Sequence, residues 1–197
     1  MDSSQVSPAV IAAALSACAL EPESLNSERI EDRFGSYGVE MLSNQSGVRR
    51  SSLYSVADDN RICRTYAVVR FLDESTPGVA QAHADILAGQ SIGATFKSSG
   101  WHIRKLTLHI GNLSMHDSEH RLSKLMHLDR EIGLGVHAYQ LVLEKDSQSI
   151  DYATIVETHH PDYMSLTELK SLYGDGIETK LDDAEVRALS TLILECD

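Results

Sequence analysis

The chain has little cysteine for its 197 residues, and the cysteines it has are scattered. Cys18, Cys63 and Cys196 form no CxxC pair, the spacing that metal-binding and redox motifs use. The simplest interpretation is that they are buried or incidental thiols of a protein from a reducing compartment.

Positive charge is also scarce. The chain has 17 Lys and Arg residues against 29 Asp and Glu residues, a net charge of -12 at pH 7. A surface that binds nucleic acid or an anionic membrane needs clustered Lys and Arg, so neither partner is predicted. An anionic ligand would have to be held by a few locally placed cations against the field of the whole molecule.

A long hydrophobic run is missing as well. The longest one near the start, AVIAAALSACAL at 9–20, has 12 residues and is preceded by Asp2 rather than by basic residues. It is too short for a membrane span and unlike a signal peptide. The expected location is therefore the cytoplasm, with no membrane span.

No phosphate-binding or hydrolase motif is present. The glycines of GSYG (35–38) and GLG (133–135) stand outside a GxGxxG or GK[ST] context. Ser51 and Ser52 do not lie in a GxSxG sequence, so nucleophilic hydrolysis has no support.

Two histidine pairs are candidate metal ligands, and both have a simpler explanation. His116 and His120 have HxxxH spacing, but the zinc-protease motif needs Glu directly after the first His, where this chain has an aspartate. They are interpreted as solvated side chains. His159 and His160 are adjacent, so in a strand they point to opposite faces and at most one can join Glu157 in a site. No metal site and no cofactor are predicted.

Strand-like alternation is the main positive signal. Short turns around 46–47, 58–60 and 146–147 separate neighbouring segments and imply antiparallel hairpins. The six predicted strands are YGVEMLSNQ (37–45), GVRRSSLYSVA (47–57), RICRTYAVVRF (61–71), WHIRKLTLHIG (101–111), GVHAYQLVLEK (135–145) and SIDYATIVETHH (149–160).

Helical signals lie before, between and after these strands. A capping box at Ser165-x-x-Glu168 predicts a short helix that ends before Gly174, and a last helix begins near Asp182. The other predicted helices are 7–20, 27–34, 77–89 and 116–129. The predicted fold is α+β, a single six-stranded antiparallel β-sheet with flanking helices. It forms one domain over 1–197, with a core at about 25–164 and with the helix 7–20 and the C-terminal helices 165–195 packed on it.

Three arginines lie inside predicted strands. Arg49 and Arg50 open the second strand, and Arg64 lies in the third. A buried arginine needs a partner, and a planar guanidinium suits a carboxylate ligand. The alternative is that these arginines pair with acids on an exposed face of the sheet. Period-2 alternation lets only one of Arg49 and Arg50 point inward, and the pattern does not decide which.

Glu157 lies near the end of the last predicted strand, in the segment IDYATIVETHHP at 150–161. A carboxylate at this position is either a strand end that reaches water or an acid at the mouth of a pocket. The strand pattern is compatible with both.

The order of these features resembles the chorismate lyase family, whose members release pyruvate from chorismate to make 4-hydroxybenzoate. The resemblance covers roughly 25–164. The segments that carry it are IEDRFGSYGVEML (30–42), VRRSSLYSVADDNRICRTYAVV (48–69), LAGQSIGATF (87–96) and AYQLVLEKDSQSIDYATIVETHHPDYM (138–164).

The resemblance implies a six-stranded antiparallel sheet with a ligand buried under helical flaps. It implies that Arg49 takes the ring carboxylate, because its spacing to Arg64 then needs no gap, and that Glu157 meets the ring hydroxyl. Loss of pyruvate makes the ring aromatic, so the protein mainly orients the substrate and directs charge and a proton, without metal or redox cofactor. Glu157, partly desolvated, is expected to have a raised pKa.

Other residues follow from the same resemblance. Ile92 and Gly93 fall on the segment whose backbone lies against the ligand, and Arg64 or Lys97 is the candidate partner of the side-chain carboxylate. The expected ligand is therefore a small anionic cyclic or aromatic acid. The oligomeric state is not predicted.

The chain also departs from the family pattern. Ser91-Ile92-Gly93 replaces Pro-Leu-Gly, Arg50 replaces an acid, and the segments 116–129 and 165–197 are additional. The flap region and the lid of the predicted pocket are therefore expected to differ from those of the family, which affects the substrate more than the fold. Two other functions therefore stay open: a non-catalytic sensor of an aromatic acid, and an enzyme that acts on another aromatic or cyclic acid.

Overall fold

Six strands form one sheet in the computed structural model, which describes residues 24–73, 75–174 and 181–195. The order across the sheet is β1-β2-β3-β6-β5-β4, and every neighbouring pair is antiparallel. The strands are β1 (Gly38–Gln45), β2 (Val48–Ala57), β3 (Asn60–Phe71), β4 (His102–Met115), β5 (Ile132–Lys145) and β6 (Gln148–His159). The predicted α+β class with a single antiparallel sheet is confirmed.

The sheet consists of two three-stranded halves, which meet where β3 pairs with β6. Tight turns join β1 to β2, β2 to β3 and β5 to β6, whereas the segment between β4 and β5 contains a helix. In the first half, Ser46 and Gly47 have φ of 54° and 75°, and Asp58 and Asp59 have φ of 49° and 63°. Positive φ at both central residues matches the right-handed twist of a hairpin, and Gly and Asp tolerate it better than most residues. The predicted turns are therefore hairpin turns.

Six helices pack on the sheet within the described residues. They are α1 (Asn26–Phe34), α2 (Ala80–Leu87), α3 (Ile92–Ser98), α4 (Arg121–Leu125), α5 (Leu166–Tyr173) and α6 (Asp183–Leu194). The predicted capping box is present at α5, where Ser165 Oγ accepts a hydrogen bond from the Glu168 amide at 3.2 Å. Asp182 caps α6 in the same way.

The strands have apolar side chains on both faces, so helices cover both. On one face, α4 and α6 pack against the sheet through Val68, Leu122, Met126, Ala138, Val156 and Ile193. On the other, α2 and α3 pack through Val69, Ile86, Phe96, Tyr139, Leu141 and Ile155. The second face also carries α1 and α5, and it holds the site described below.

The predicted helix 116–129 is wrong in its extent, because only Arg121–Leu125 is helical. Strand β4 continues to Met115, and a turn follows in which Asp117 Oδ1 accepts a hydrogen bond from the Glu119 amide at 2.8 Å. Such a local side-chain bond competes with helix formation. At the other end, His127 has a φ of 52°, which a helix does not allow.

Helix α3 was not predicted, because its sequence IGATFKS combines glycine with β-branched residues of low helix propensity. Tertiary packing stabilises this helix in spite of its low helix propensity, because Phe96 is fully buried in the core. The predicted helix 77–89 is shorter than expected, at Ala80–Leu87. Within the described ranges, no helix is long and apolar enough to cross a membrane. The predicted helix 7–20 lies outside the described residues.

Candidate functional site

A cavity of about 80 Å³ lies between the sheet and the starts of α1 and α3. This volume is enough for several water molecules. All six strands contribute apolar side chains to it: Val39, Leu53, Ala67, Val69, Ile103, Leu141 and Ile155. The cover consists of Leu25, Asn26, Ser27, Ser91, Ile92 and Gly93. Three charged side chains, Arg49, Lys105 and Glu157, and three side chains with hydroxyl groups, Tyr37, Ser51 and Tyr139, complete the lining.

Arg49 marks one end of the cavity and is 1% exposed. Its Nη2 donates a hydrogen bond to the carbonyl of Gln90 at 3.0 Å, while Nε and Nη1 have no partner among the described residues. The hydroxyl of Ser51, which lines the cavity two residues further along β2, also lacks a partner there. Burial lowers the pKa of the Arg49 guanidinium.

Alternation along β2 decides between the two neighbouring arginines. Arg50 lies opposite Val68 on β3, and Val68 belongs to the core on the other face of the sheet. Residues that face each other across an antiparallel pair share one face, so Arg50 points away from the cavity. The inward arginine is Arg49.

Two glycines shape the cover. Gly89 has a φ of 107°, which residues with side chains rarely adopt, and it turns the chain after α2 just before the Gln90 carbonyl that binds Arg49. A Cβ on Gly93 would lie 2.8 Å from Leu25 Cδ2, so any larger residue in this first turn of α3 requires the Leu25 side chain at the start of α1 to shift.

Glu157 marks the other end of the cavity and is 6% exposed. Its Oε1 accepts hydrogen bonds from Asn26 Nδ2 at 2.7 Å and from the Tyr139 hydroxyl at 3.0 Å. Its Oε2 lies 3.8 Å from Lys105 Nζ and 3.9 Å from His159 Nε2, both too far for a hydrogen bond. One carboxylate oxygen is therefore held in place, and the other keeps its capacity to accept.

The raised pKa expected for Glu157 is wrong. Burial by itself raises the pKa of this carboxyl, but Lys105, His159, His137 and the Tyr139 hydroxyl outweigh burial and lower the pKa to about 2. The expectation failed because it had placed no cation beside the strand end. Glu157 is ionised at neutral pH.

Two buried histidines stand behind Glu157. His159 Nδ1 lies 2.9 Å from Thr65 Oγ1, and His137 Nε2 lies 3.0 Å from Thr107 Oγ1. Burial lowers the pKa of His137 to about 3 and that of His159 to about 4, so both are neutral at neutral pH. As the alternation predicted, only one histidine of the adjacent pair reaches Glu157.

Lys105 is the site residue that the sequence analysis missed. It lies on β4, its side chain is 13% exposed, and its Nζ lies 4.7 Å from the centre of the Tyr139 ring. A signal was available: alternation in WHIRKLTLHIG places Ile103, Lys105 and Thr107 on one face. A lysine between an apolar and a small residue on a covered face indicates a site.

Two predicted site residues do not line this cavity. Arg64 falls at a register shift between β2 and β3, donates from Nε to Ser55 Oγ at 2.8 Å, and lies 3.9 Å from the centre of the Phe34 ring. Lys97 forms an exposed ion pair with Glu28. The structure therefore brings together Arg49, Ile92, Gly93 and Glu157, and leaves Arg64 and Lys97 outside.

Within the described part of the chain, no group of three or more His, Cys, Asp or Glu residues is arranged to hold a metal ion. His116 pairs with Glu131 at 2.8 Å, and His120 Nδ1 accepts a hydrogen bond from the Leu122 amide at 3.1 Å. The two histidines with HxxxH spacing are thus engaged separately.

Comparison of the chain with protein-family models, with curated proteins and with solved structures finds no match.

Proposed function

We propose that this protein releases pyruvate from chorismate, to give 4-hydroxybenzoate or a related hydroxybenzoate, in the cavity under α1 and α3. The observation that carries the proposal is the buried Arg49 guanidinium, whose Nε and Nη1 have no partner among the described residues. It stands at one end of an apolar cavity that has an ionised carboxylate, Glu157, at the other.

A ligand carboxylate is the group that suits Arg49. A cation without a counter-charge is costly to bury, and no acidic side chain pairs with Arg49 among the described residues. A carboxylate supplies both the missing charge and acceptors for the remaining N–H groups. The unpartnered hydroxyl of Ser51 adds a donor at the same end.

The distance between Arg49 and Glu157, which follows from the strand register, suits a ligand with a single ring. Arg49 on β2 lies opposite Val69 of β3, and Glu157 on β6 lies opposite Ala67 of β3. The two residues are therefore two strands apart across the sheet and two residues apart along the strand direction. With about 4.8 Å between strands and about 3.4 Å per residue, their Cα atoms are about 12 Å apart. One substituted six-membered ring can bridge that distance between the two side chains. The ring needs more room than the 80 Å³ of the cavity, so the cover at the starts of α1 and α3 has to move outward to admit it.

The proposed reaction breaks the ether bond between the ring and the enolpyruvyl group. The ring carbon that carries the hydroxyl loses its hydrogen as a proton, the ring becomes aromatic, and the enolpyruvate takes up a proton at its CH₂ carbon to become pyruvate. There is no net oxidation or reduction. Arg49 holds the ring carboxylate, and Glu157 Oε2 accepts the hydrogen bond of the ring hydroxyl and is the proposed acceptor of the ring proton.

The test is incubation of the full chain with chorismate. Pyruvate is followed with lactate dehydrogenase and NADH, and 4-hydroxybenzoate by chromatography. We expect equal release of both products, a loss of at least about a hundredfold in kcat/KM for Arg49→Met, and no comparable loss for Arg50→Met. Release no faster than in the absence of protein would overturn the proposal.

A non-catalytic binding protein for an aromatic acid is the second candidate, and the state of Glu157 favours it. A carboxyl with a pKa of about 2 is a weak proton acceptor. In that case 4-hydroxybenzoate binds with a calorimetric signal that Arg49→Met abolishes, while chorismate releases no pyruvate.

A further inference from the structure

Lys105 is the second buried cation that lines the cavity, and the nearest described carboxylate is too far away to form a hydrogen bond with its ammonium group. Its Nζ lies over the rings of Tyr139 and Tyr173, 4.7 Å and 5.5 Å from their centres. Among the described residues it makes no hydrogen bond, and the nearest carboxylate oxygen, Glu157 Oε2, is 3.8 Å away. The ammonium therefore keeps donors for a group inside the cavity.

Positive charge exceeds negative charge around the cavity. Arg29 is 6% exposed and donates from Nη1 to the Tyr173 hydroxyl at 2.9 Å, so it adds a cation behind Lys105. The histidines beside Glu157 are neutral at neutral pH. Among the described residues that line the cavity, Arg49 and Lys105 are the cations and Glu157 is the carboxylate. Each cation can take one carboxylate of a ligand, Arg49 at one end and Lys105 at the other, because Glu157 forms no hydrogen bond with the Lys105 ammonium.

We propose that Lys105 binds a second carboxylate of the ligand, so that the site selects cyclic dicarboxylates over monocarboxylates. The inference rests on the proposed function, in which Lys105 meets the enolpyruvyl carboxylate while Arg49 meets the ring carboxylate. The two tyrosine rings hold the ammonium through cation–π contacts. The Glu157 carboxylate attracts the Lys105 ammonium from 3.8 Å but accepts no hydrogen bond from it.

Two probes that differ by a single carboxylate test this selectivity. They are 3-methoxy-4-hydroxybenzoate and 3-(carboxymethoxy)-4-hydroxybenzoate, titrated into the full chain by calorimetry. We expect the wild type to bind the dicarboxylate at least about tenfold more tightly, and Lys105→Met to lose that preference, with a much smaller effect on the monocarboxylate. Lys124→Met is the matched control, because Lys124 is exposed, pairs with Glu119 and lies on a helix of the opposite face.

Removal of Lys105 leaves Glu157 without its nearest cation, and this could destabilise the fold. The double variant Lys105→Met/Glu157→Gln removes both charges and should show the same loss of preference. Lys105→Arg keeps a cation and should retain the preference. Thermal melting of each variant separates a loss of folding from a loss of binding.

The outcomes separate this inference from the proposed function. A preference that persists in Lys105→Met, or an equal loss for both probes in a folded variant, overturns the role of Lys105. Chorismate turnover with an unchanged KM in Lys105→Met also overturns it, while the proposed function stands. Loss of the preference in a protein that releases no pyruvate leaves the dicarboxylate site in place and overturns the lyase function.

Discussion

Arg49 and Arg50 are neighbours in sequence with opposite surroundings, and this difference makes a residue-scale prediction. Arg49 is buried and points into the cavity, whereas Arg50 is half-buried on the other face. Arg49→Ala should cost about 2–5 kcal/mol in binding of 4-hydroxybenzoate, because it removes one partner of a buried charge pair. Arg50→Ala should cost about 0–1 kcal/mol. Titration calorimetry on both variants measures the two values.

The reverse result, a silent Arg49→Ala and a damaging Arg50→Ala, would mean that β2 is shifted by one residue. If neither substitution changes the affinity, the ligand does not use this strand.

Glu157→Gln tests the other end of the cavity. The glutamine keeps the size of the side chain and an oxygen that can accept from Asn26 and Tyr139, so the fold should persist. The hydrogen bond from a ring hydroxyl changes from charge-assisted to neutral, which should cost about 1 kcal/mol for 4-hydroxybenzoate. Benzoate lacks the hydroxyl and should bind with unchanged affinity. Calorimetry with both acids makes the comparison, and an equal change for both would contradict the assigned contact.

At the scale of elements, the cavity depends on how closely α3 approaches the start of α1. Gly93→Val would place side-chain atoms where Leu25 already lies, because even a Cβ would be 2.8 Å from Leu25 Cδ2. Overpacking of this kind typically costs about 1–3 kcal/mol. We expect Gly93→Val to lower the affinity for 4-hydroxybenzoate by displacing the cover, as measured by calorimetry.

A second substitution shows whether the contact with Leu25 is the cause. Leu25→Ala removes the atoms that the introduced valine side chain would meet, so the double variant should recover part of the lost affinity. If Leu25→Ala adds a further loss to that of Gly93→Val, the two helix starts do not meet as described.

At the scale of the whole molecule, three buried groups make stability depend on pH in the same direction. The pKa values of His137 and His159 are lowered from 6.5 to about 3 and about 4, and that of Glu157 from 4.5 to about 2. In each case the unfolded chain binds the proton more readily than the folded one. The stability that these three groups contribute is therefore full above pH 6.5 and falls with acid, first through the histidines and below pH 4.5 also through Glu157.

Urea unfolding at several pH values measures this dependence. Between about pH 6 and 5, the free energy of unfolding should fall by up to about 1.4 kcal/mol per pH unit for each buried histidine. His159→Gln should reduce the slope of the unfolding free energy against pH by the amount that corresponds to one bound proton. His102→Gln, at an exposed position, should leave the slope unchanged. A profile that stays flat from about pH 7 to 5 would show that these histidines are not buried neutral.

Local chemistry made much of the fold predictable. The strands follow period-2 alternation, the turns at 46–47, 58–59 and 146–147 contain Gly, Asp or Ser, and the α5 cap joins residues only three apart. Each of these features depends on neighbours within a few residues, so the sequence carries it directly. The same alternation allowed only one of Arg49 and Arg50 to face inward, and the tertiary structure identified Arg49.

The chemistry of the site was decided by contacts that span the chain. Asn26 and Glu157, which share a hydrogen bond, are 131 positions apart. Lys105 approaches Glu157 only because β4 and β6 both flank β5, and that proximity turned an expected high pKa into a low one. The sequence by itself determined which segments are strands and where their turns lie, because those depend on adjacent residues. Only the tertiary structure decided which charges face one another, because the charge on a buried group depends on all the groups around it, wherever they lie in the chain.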